Sequence, residues 1–148
     1  KGPTGCRYLG DERQRDYVVK GWNVTGDTYR RDSDGYYWYL ARSDDMIVSS
    51  GYNIGAPEVE NALLSHPAVA ECAVIGVACP ERGQKVKAFV VPAVDVTPSD
   101  ELVAELQAHV KAQIAPYKYP RLIEFVDALP KTATGKLRRV ELRERSGE

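Results

Sequence analysis

Apolar positions are spread unevenly along the chain, and their spacing separates a turn-rich first part from a patterned remainder. Through residues 1 to about 35, charged stretches such as Asp11-Glu12-Arg13-Gln14-Arg15-Asp16 alternate with turn signals. Those signals are Gly2-Pro3, Thr4-Gly5, Gly10-Asp11, Gly26-Asp27 and Asp34-Gly35. Tyr17-Val18-Val19 and Gly21-Trp22-Asn23-Val24 are short runs that fit either strands or a helix end. Asp34-Gly35 feeding Tyr36-Tyr37-Trp38-Tyr39-Leu40 is a hairpin signal, because an Asp-Gly turn suits the twist of two antiparallel strands. This part has too little alternating apolar pattern to fold alone, which predicts a missing partner surface.

From Gly51 the pattern sharpens. Pro57 suits the first helical position, with Glu58 and Glu60 near the positive helix end. Val59, Ala62 and Leu63 form one face, and Pro67 stops the helix after about ten residues. Ala68 to Val77 is a β run, apolar on both faces apart from Glu71, as a central or covered strand requires. Ala78-Cys79-Pro80-Glu81-Arg82-Gly83 reads as a turn, and Val86 to Val91 as the next strand. Thr97-Pro98-Ser99-Asp100 starts a second helix, with a cap, Pro at the first position and an acid three residues on. Its buried stripe is Leu102, Leu106, Val110 and Ile114, and Pro116 ends it. Leu122-Ile123-Glu124-Phe125-Val126 makes a third strand, and the polar loop Pro130 to Gly135 leads into a basic C-terminal helix. With about three core strands, the pattern predicts a small α+β domain, a short mixed sheet with flanking helices, rather than a doubly wound fold.

Composition narrows the function classes. A chain of 148 residues with 43% hydrophobic content is globular and long enough to bury a core without disulfide or metal. Its 20 basic and 21 acidic residues leave a net charge of −1, so no broad surface for nucleic acid or an acidic membrane is expected. Three cysteines, Cys6, Cys72 and Cys79, lack a C-x-x-C pair and read as reduced thiols of a cytoplasmic protein, two of them in a core strand. No apolar run approaches the roughly 18 residues that span a bilayer, and no signal peptide is legible. The opening Lys1-Gly2-Pro3-Thr4-Gly5, without an initiating Met, predicts a piece of a longer protein. His66 and His109 read as helix-surface or satisfied core residues, and no metal site is expected.

Candidate chemistry gathers in three places. In Leu40 to Asn53, Arg42 and the carboxylates Asp44 and Asp45 precede Ser49-Ser50-Gly51, where the backbone turns sharply or approaches a ligand. In Thr25-Gly26-Asp27, a glycine bend presents a carboxylate able to accept two hydrogen bonds from a vicinal diol such as a ribose. Arg42, beyond the aromatic hairpin, folds back beside Asp27, where its planar fork suits ribose or phosphate oxygens. Each also fits an ordinary surface turn, with Arg42 paired to Asp44 or Asp45. The third place is Leu129-Pro130-Lys131-Thr132-Ala133-Thr134-Gly135-Lys136-Leu137-Arg138-Arg139. A P-loop would need Gly at Pro130 and Ser or Thr at Leu137, which excludes that class of nucleotide hydrolase. What remains is Lys136 on a mobile, glycine-hinged arm, suited to delivering one positive charge to a developing anion, or else a basic tail solvated by water.

Trp22-Asn23-Val24-Thr25-Gly26-Asp27, then Ala41-Arg42-Ser43-Asp44-Asp45-Met46-Ile47 with Gly51, then Pro130-Lys131-Thr132-Ala133-Thr134-Gly135-Lys136 resemble, in order and spacing, the last three core motifs of the adenylate-forming superfamily. That superfamily holds acyl-CoA synthetases, peptide-synthetase adenylation domains and luciferases. Gly51-Tyr52-Asn53-Ile54, Ala56-Pro57-Glu58-Val59-Glu60 and Ala115-Pro116-Tyr117-Lys118-Tyr119-Pro120-Arg121 look most like the benzoate and 2-aminobenzoate CoA ligases. The resemblance implies residues 1–43 as the tail of a large N-terminal adenylation domain and 44–148 as its mobile C-terminal lid. It implies ATP and CoA as substrates, with Mg²⁺ brought by ATP and not ligated by this chain. A carboxylate would attack the α-phosphate of ATP to give acyl-AMP, and CoA would then displace AMP. Asp27 and Arg42 would hold the ribose, Asp44 would be the hinge, and Lys136 would reach the α-phosphate. Ser50, Gly51 and Tyr52 would line the pantetheine path, and Lys111 would meet a CoA phosphate. Many relatives carry Arg where this chain has Asn53, so no phosphate contact is assigned there. The glycine-rich phosphate loop and the acyl pocket are absent from the sequence, so the chain alone is expected to be inactive. Its partners would be its own N-terminal domain, the small-molecule substrates and a protein acetyltransferase acting on Lys136. The alternatives are adenylation with transfer to a carrier protein, and a non-catalytic binding or regulatory module built on the lid fold.

Overall fold

The computed structural model describes residues 10, 12 and 14–147. The turns expected at Gly2-Pro3 and Thr4-Gly5, Asp11 of the Gly10-Asp11 turn, and Cys6 lie outside the described residues. The chain divides into two units, Lys1–Asp44 and Asp45–Glu148.

In the first unit, helix α1 (Gln14–Tyr17) runs into β1 (Val18–Val19), which pairs antiparallel with β2 (Trp22–Asn23). Both alternatives for this stretch are thus realised side by side. Strands β3 (Asp27–Arg31) and β4 (Tyr37–Arg42) form the expected hairpin, with a bulge between Thr28 and Tyr29. Asp32 organises its turn. One carboxylate oxygen accepts from the Tyr36 and Asp34 amides at 2.9 and 3.1 Å, and the other from the Trp38 indole at 2.6 Å. The indole bond, joined by the backbone bonds, holds the Asp32 carboxyl below its ordinary value. Tyr36, Tyr37, Trp38 and Tyr39 are more than half exposed, so the aromatic run is not the core of this unit.

The second unit is a five-stranded mixed sheet covered by helices on both faces. Its elements are β5 (Met46–Ser49), β6 (Tyr52–Gly55), α2 (Ala56–Leu64), β7 (Val69–Cys79), β8 (Gly83–Pro92), α3 (Asp100–Gln113), β9 (Leu122–Phe125) and α4 (Arg139–Arg145). The order is β6-β5-β8-β7, with β9 parallel to β8 and every other pairing antiparallel. The expected three strands are therefore five. The two missed ones make up the β5–β6 hairpin, whose four-residue strands put a Ser at a buried position and so lack a clean apolar alternation.

The period of two along β7 and β8 makes two cores. Val74, Val86, Ala88 and Val90 point to one face, where they meet Val59, Ala62 and Leu63 of α2 and Leu102, Leu106 and Val110 of α3. Ala73, Ile75, Val77 and Phe89 point to the other, against Leu129 and Leu142 of α4. β7 is an edge strand covered on both faces, so its near-continuous apolar run follows from cover rather than a central position. One outward amide of that edge is satisfied by Glu60, whose carboxylate accepts from the Val74 N–H at 2.9 Å.

Element boundaries differ from the sequence reading, most at the β7–β8 turn and at the start of α3. β7 continues through Cys79, and the turn shrinks to the residues before Gly83. The cap of α3 is Ser99, not Thr97: Ser99 is extended and its hydroxyl accepts from the Leu102 amide at 3.2 Å. His66 and His109 are satisfied as expected, with His66 Nε2 3.2 Å from Glu105 and His109 Nε2 2.8 Å from Ser65 Oγ.

Cys72 and Cys79 both lie in β7 as free thiols. Burial pushes the Cys72 thiol up to about 12, with the Glu60 carboxylate adding to the rise. Cys72 is therefore held as the thiol at neutral and mildly alkaline pH, away from the nucleophilic thiolate form. Iodoacetamide is expected to leave Cys72 unmodified in the folded protein and to alkylate it readily in urea. Peptide mass spectrometry reads the difference; rapid modification of folded Cys72 would contradict the assigned burial.

Candidate functional site

In the first unit, Asp27 and Arg42 face each other directly across the β3–β4 ladder. The bend before Asp27 is built for this approach. A Cβ on Gly26 would lie 3.1 Å from an Arg42 guanidinium nitrogen, and the Gly26 carbonyl accepts from the Ser43 amide at 2.7 Å. Thr25 Oγ1 accepts from the Asp27 amide at 3.2 Å, which fixes the start of the strand. Arg42 also donates to Asp44 at 3.1 Å, both side chains being more than half exposed. The pairing of Arg42 with Asp44 and its position beside Asp27 therefore coexist. Asp44 sits in the short 3-10 turn Ser43–Asp45, and the division between the two units falls directly after it.

In the second unit, Ser50 and Gly51 are the two central residues of the β5–β6 turn, with φ of 51° and 81°. Positive φ at both positions is the signature of the type I′ hairpin turn, whose twist matches that of its strands. Ser50 is held on both sides by Arg82: its amide donates to the Arg82 carbonyl and its hydroxyl accepts from the guanidinium, each at 2.9 Å. Sequence reasoning missed Arg82, because only the Ser49–Gly83 pairing brings that turn beside Ser50. Tyr52 stacks on Tyr117 with ring centroids 4.3 Å apart and both rings largely exposed. In the same segment Tyr119 lies under Lys111, whose ammonium is 4.0 Å from the ring centroid. Lys111 thus stands over an aromatic face in the last turn of α3, a placement that its helical position alone does not reveal.

Lys136 lies on a cross-bonded hairpin rather than an open arm. Lys131 and Leu137 form a β-bridge, and the Thr132 amide donates to the Lys136 carbonyl at 2.8 Å. The Gly135 amide donates to the Thr132 carbonyl at 2.9 Å, and the Arg138 amide to the Pro130 carbonyl at 2.9 Å. Leu137 packs against the second core, so the loop is seated while Lys136 stays exposed. Lys131 is tied to Glu71 at 2.7 Å, whereas the Lys136 ammonium makes no ion pair among the described residues. A tied lysine holds the loop and an untied one can meet an incoming anion.

Among the described residues, no group of three His, Cys, Asp or Glu side chains is arranged to hold a metal ion. Among the same residues, no helix is long and apolar enough to cross a membrane.

The AMP-binding enzyme C-terminal domain family matches residues 58–136, ending on Lys136 itself. The match covers more than half of the chain, and the chain belongs to that family. An uncharacterized acyl-CoA ligase of Bacillus subtilis (strain 168), YtcI, is 54% identical over 134 residues, 90% of this chain and 25% of that protein. The mitochondrial acyl-coenzyme A synthetase ACSM3 of Homo sapiens is 55% identical over 124 residues, 82% of this chain and 21% of that protein. Among solved structures, the anthranilate CoA ligase AuaEII in complex with anthranoyl-AMP is similar, with a TM-score of 0.80 and 46% identity. That likeness covers 91% of this chain and 26% of the ligase. The chain thus spans about a quarter of the length of the relatives it matches.

Proposed function

We propose that these residues form the C-terminal part of an ATP-dependent carboxylate–CoA ligase, residues 1–43 being the tail of its large N-terminal domain and 44–148 its mobile lid. In this reading Asp27 accepts hydrogen bonds from the ribose hydroxyls of ATP, with Arg42 beside it. Lys136 supplies positive charge to the α-phosphate as the carboxylate attacks and pyrophosphate leaves. The lid then turns about Asp44, and Ser50, Gly51 and Tyr52 line the path by which the CoA thiol reaches the acyl-AMP. Lys111 attracts a CoA phosphate. Mg²⁺ enters as part of the ATP substrate, and no residue of this chain is assigned to it.

The observation that carries the reading is a candidate arrangement in each unit by itself. Asp27 and Arg42 are opposite residues of the β3–β4 ladder beside a glycine bend, and an exposed lysine with no ion pair among the described residues sits on a seated hairpin. The ligase names of the relatives support acyl transfer to CoA, and the named anthranilate ligase supports an aromatic acid as substrate. The exposed Tyr36 to Tyr39 run supports a surface that the rest of an N-terminal domain would cover. Free thiols at Cys72 and Cys79 support a reducing compartment such as the cytoplasm. Lys136 is also the proposed target of a protein acetyltransferase, since acetylation would remove the charge that adenylation uses.

The complete protein, offered a panel of aromatic and aliphatic carboxylates, is expected to release pyrophosphate from ATP and then form a thioester when CoA is added. The 148-residue chain alone is expected to do neither. Pyrophosphate release without thioester formation for every acid would overturn CoA as the acceptor. Thioester formation by the isolated chain would overturn its role as a lid.

A further inference from the structure

Four charged side chains meet where α4 reaches α2 and the start of β5, and all four are mostly withdrawn from water. The Asp45 and Glu60 carboxylates keep 14% and 13% exposure, and Arg139 and Arg143 keep 21% and 25%. Arg143 donates to Asp45 at 2.6 Å. Arg139 reaches both oxygens of Glu60 at 2.7 and 2.9 Å through one nitrogen, and Asp45 at 3.5 Å through the other. Glu60 in turn accepts the Val74 amide on the edge of β7.

The position of this cluster gives it a second meaning. Arg139 is the first residue of α4 and lies three residues after Lys136; Asp45 directly follows Asp44. On the other leg of the same hairpin, Lys131 is tied to Glu71 of β7. The loop that carries Lys136 is therefore flanked by ion pairs on both sides. Lys131 ties one leg to β7, and Arg139, just after the other leg, ties to Glu60 of α2 and to Asp45 before β5. We infer that the Asp45–Arg139–Glu60–Arg143 cluster is a positioning device for Lys136, coupling the residue after Asp44 to the base of the lysine loop. The inference rests on the proposed roles of Lys136 and Asp44.

The physical case is that an exposed lysine on a short hairpin is only as well aimed as the hairpin's base. A misplacement of about 1 Å at a reacting centre costs on the order of 10²-fold. Ion pairs withdrawn from water are weakly screened, and a severed one leaves a charge without compensation, so the cluster resists bending. Two carboxylates against two guanidiniums also leave no formal net charge to compete with Lys136 for an anion.

The test uses the complete ligase and measures the half-reactions separately: pyrophosphate release from ATP and carboxylate, and thioester formation from synthetic acyl-adenylate and CoA. Arg139→Gln is expected to lower kcat for the first by about tenfold or more, and to leave the second within about twofold. In a Lys136→Ala background, Arg139→Gln should add no further loss to adenylation, because the residue acts through Lys136. Arg139→Lys should recover part of the rate. Asp45→Asn, which keeps the size of the side chain, repeats the test should Arg139→Gln fail to fold. Equal loss in both half-reactions, or full additivity with Lys136→Ala, would overturn the inference and leave the cluster a fold-stabilising one. Adenylation unchanged by Lys136→Ala would instead overturn the reading of Lys136 on which the inference stands.

Discussion

On the proposed reading, Lys136→Ala in the complete protein is expected to cut acyl-adenylate formation at least ~10²-fold, the scale of losing one preorganised contact to charge developing in a transition state. The same variant, supplied with synthetic acyl-adenylate and CoA, is expected to make thioester near the wild-type rate. The split follows from where the lysine stands. Its ammonium is exposed and makes no ion pair among the described residues, so nothing in the second unit is disturbed by its removal. The hairpin keeps its β-bridge, its three backbone–backbone bonds, the Lys136 amide's bond to the Thr132 hydroxyl and the Lys131–Glu71 pair, none of which involves the Lys136 side chain. A folding defect is therefore not an expected source of lost activity, and circular dichroism and melting temperature should match the wild type. If the lid turns between the steps, Lys136 leaves with it and the second step has no use for it. Equal damage to both half-reactions, or to neither, would show that this loop does not carry the adenylation lysine.

How much of this was legible in the residues depends on the range over which each feature is encoded. The hairpin at Asp34-Gly35 and the stripe Leu102, Leu106 and Val110 are local, and the structure reproduces both. The β5–β6 hairpin was hidden because Ser49, only 6% exposed, occupies a core position that an apolar pattern skips over. Ser99 replaced Thr97 as the cap because Pro98 does not begin the helix; the extended backbone at Ser99 frees its hydroxyl for Leu102. The place of Lys136 at the end of a small-polar loop was readable, but the cross-bonds that seat that loop were not. The cluster holding α4 was the least readable of all. Arg139 and Asp45 lie 94 positions apart, and a charge carries no mark of a partner so distant. Arg42, Asp44 and Asp45 looked like one solvated turn. In the structure Arg42 and Asp44 pair in the open, while the neighbouring Asp45 is mostly withdrawn from water and bound to α4.

Gly51→Leu is expected to slow the CoA-dependent step of the complete ligase by about tenfold to a hundredfold while leaving pyrophosphate release in place. A Cβ built on Gly51 meets nothing within 4 Å, so an added side chain enters open space instead of the core. In the proposed reading that space is the pantetheine path, and a branched side chain fills it. The backbone offers a competing cause, because φ at Gly51 is 81° and an L-residue there costs roughly 1–2 kcal/mol. Strain and bulk are separated by Gly51→Asn, since Asn enters left-handed backbone more readily than Leu while still adding a side chain. If bulk decides, both variants lose CoA turnover and raise the KM for CoA, and Leu does so more. If strain decides, Asn restores the wild-type rate, because the β5–β6 turn then keeps its shape and Tyr52 its stack on Tyr117. CoA turnover unchanged in a folded Gly51→Leu variant would show that this glycine serves the turn alone.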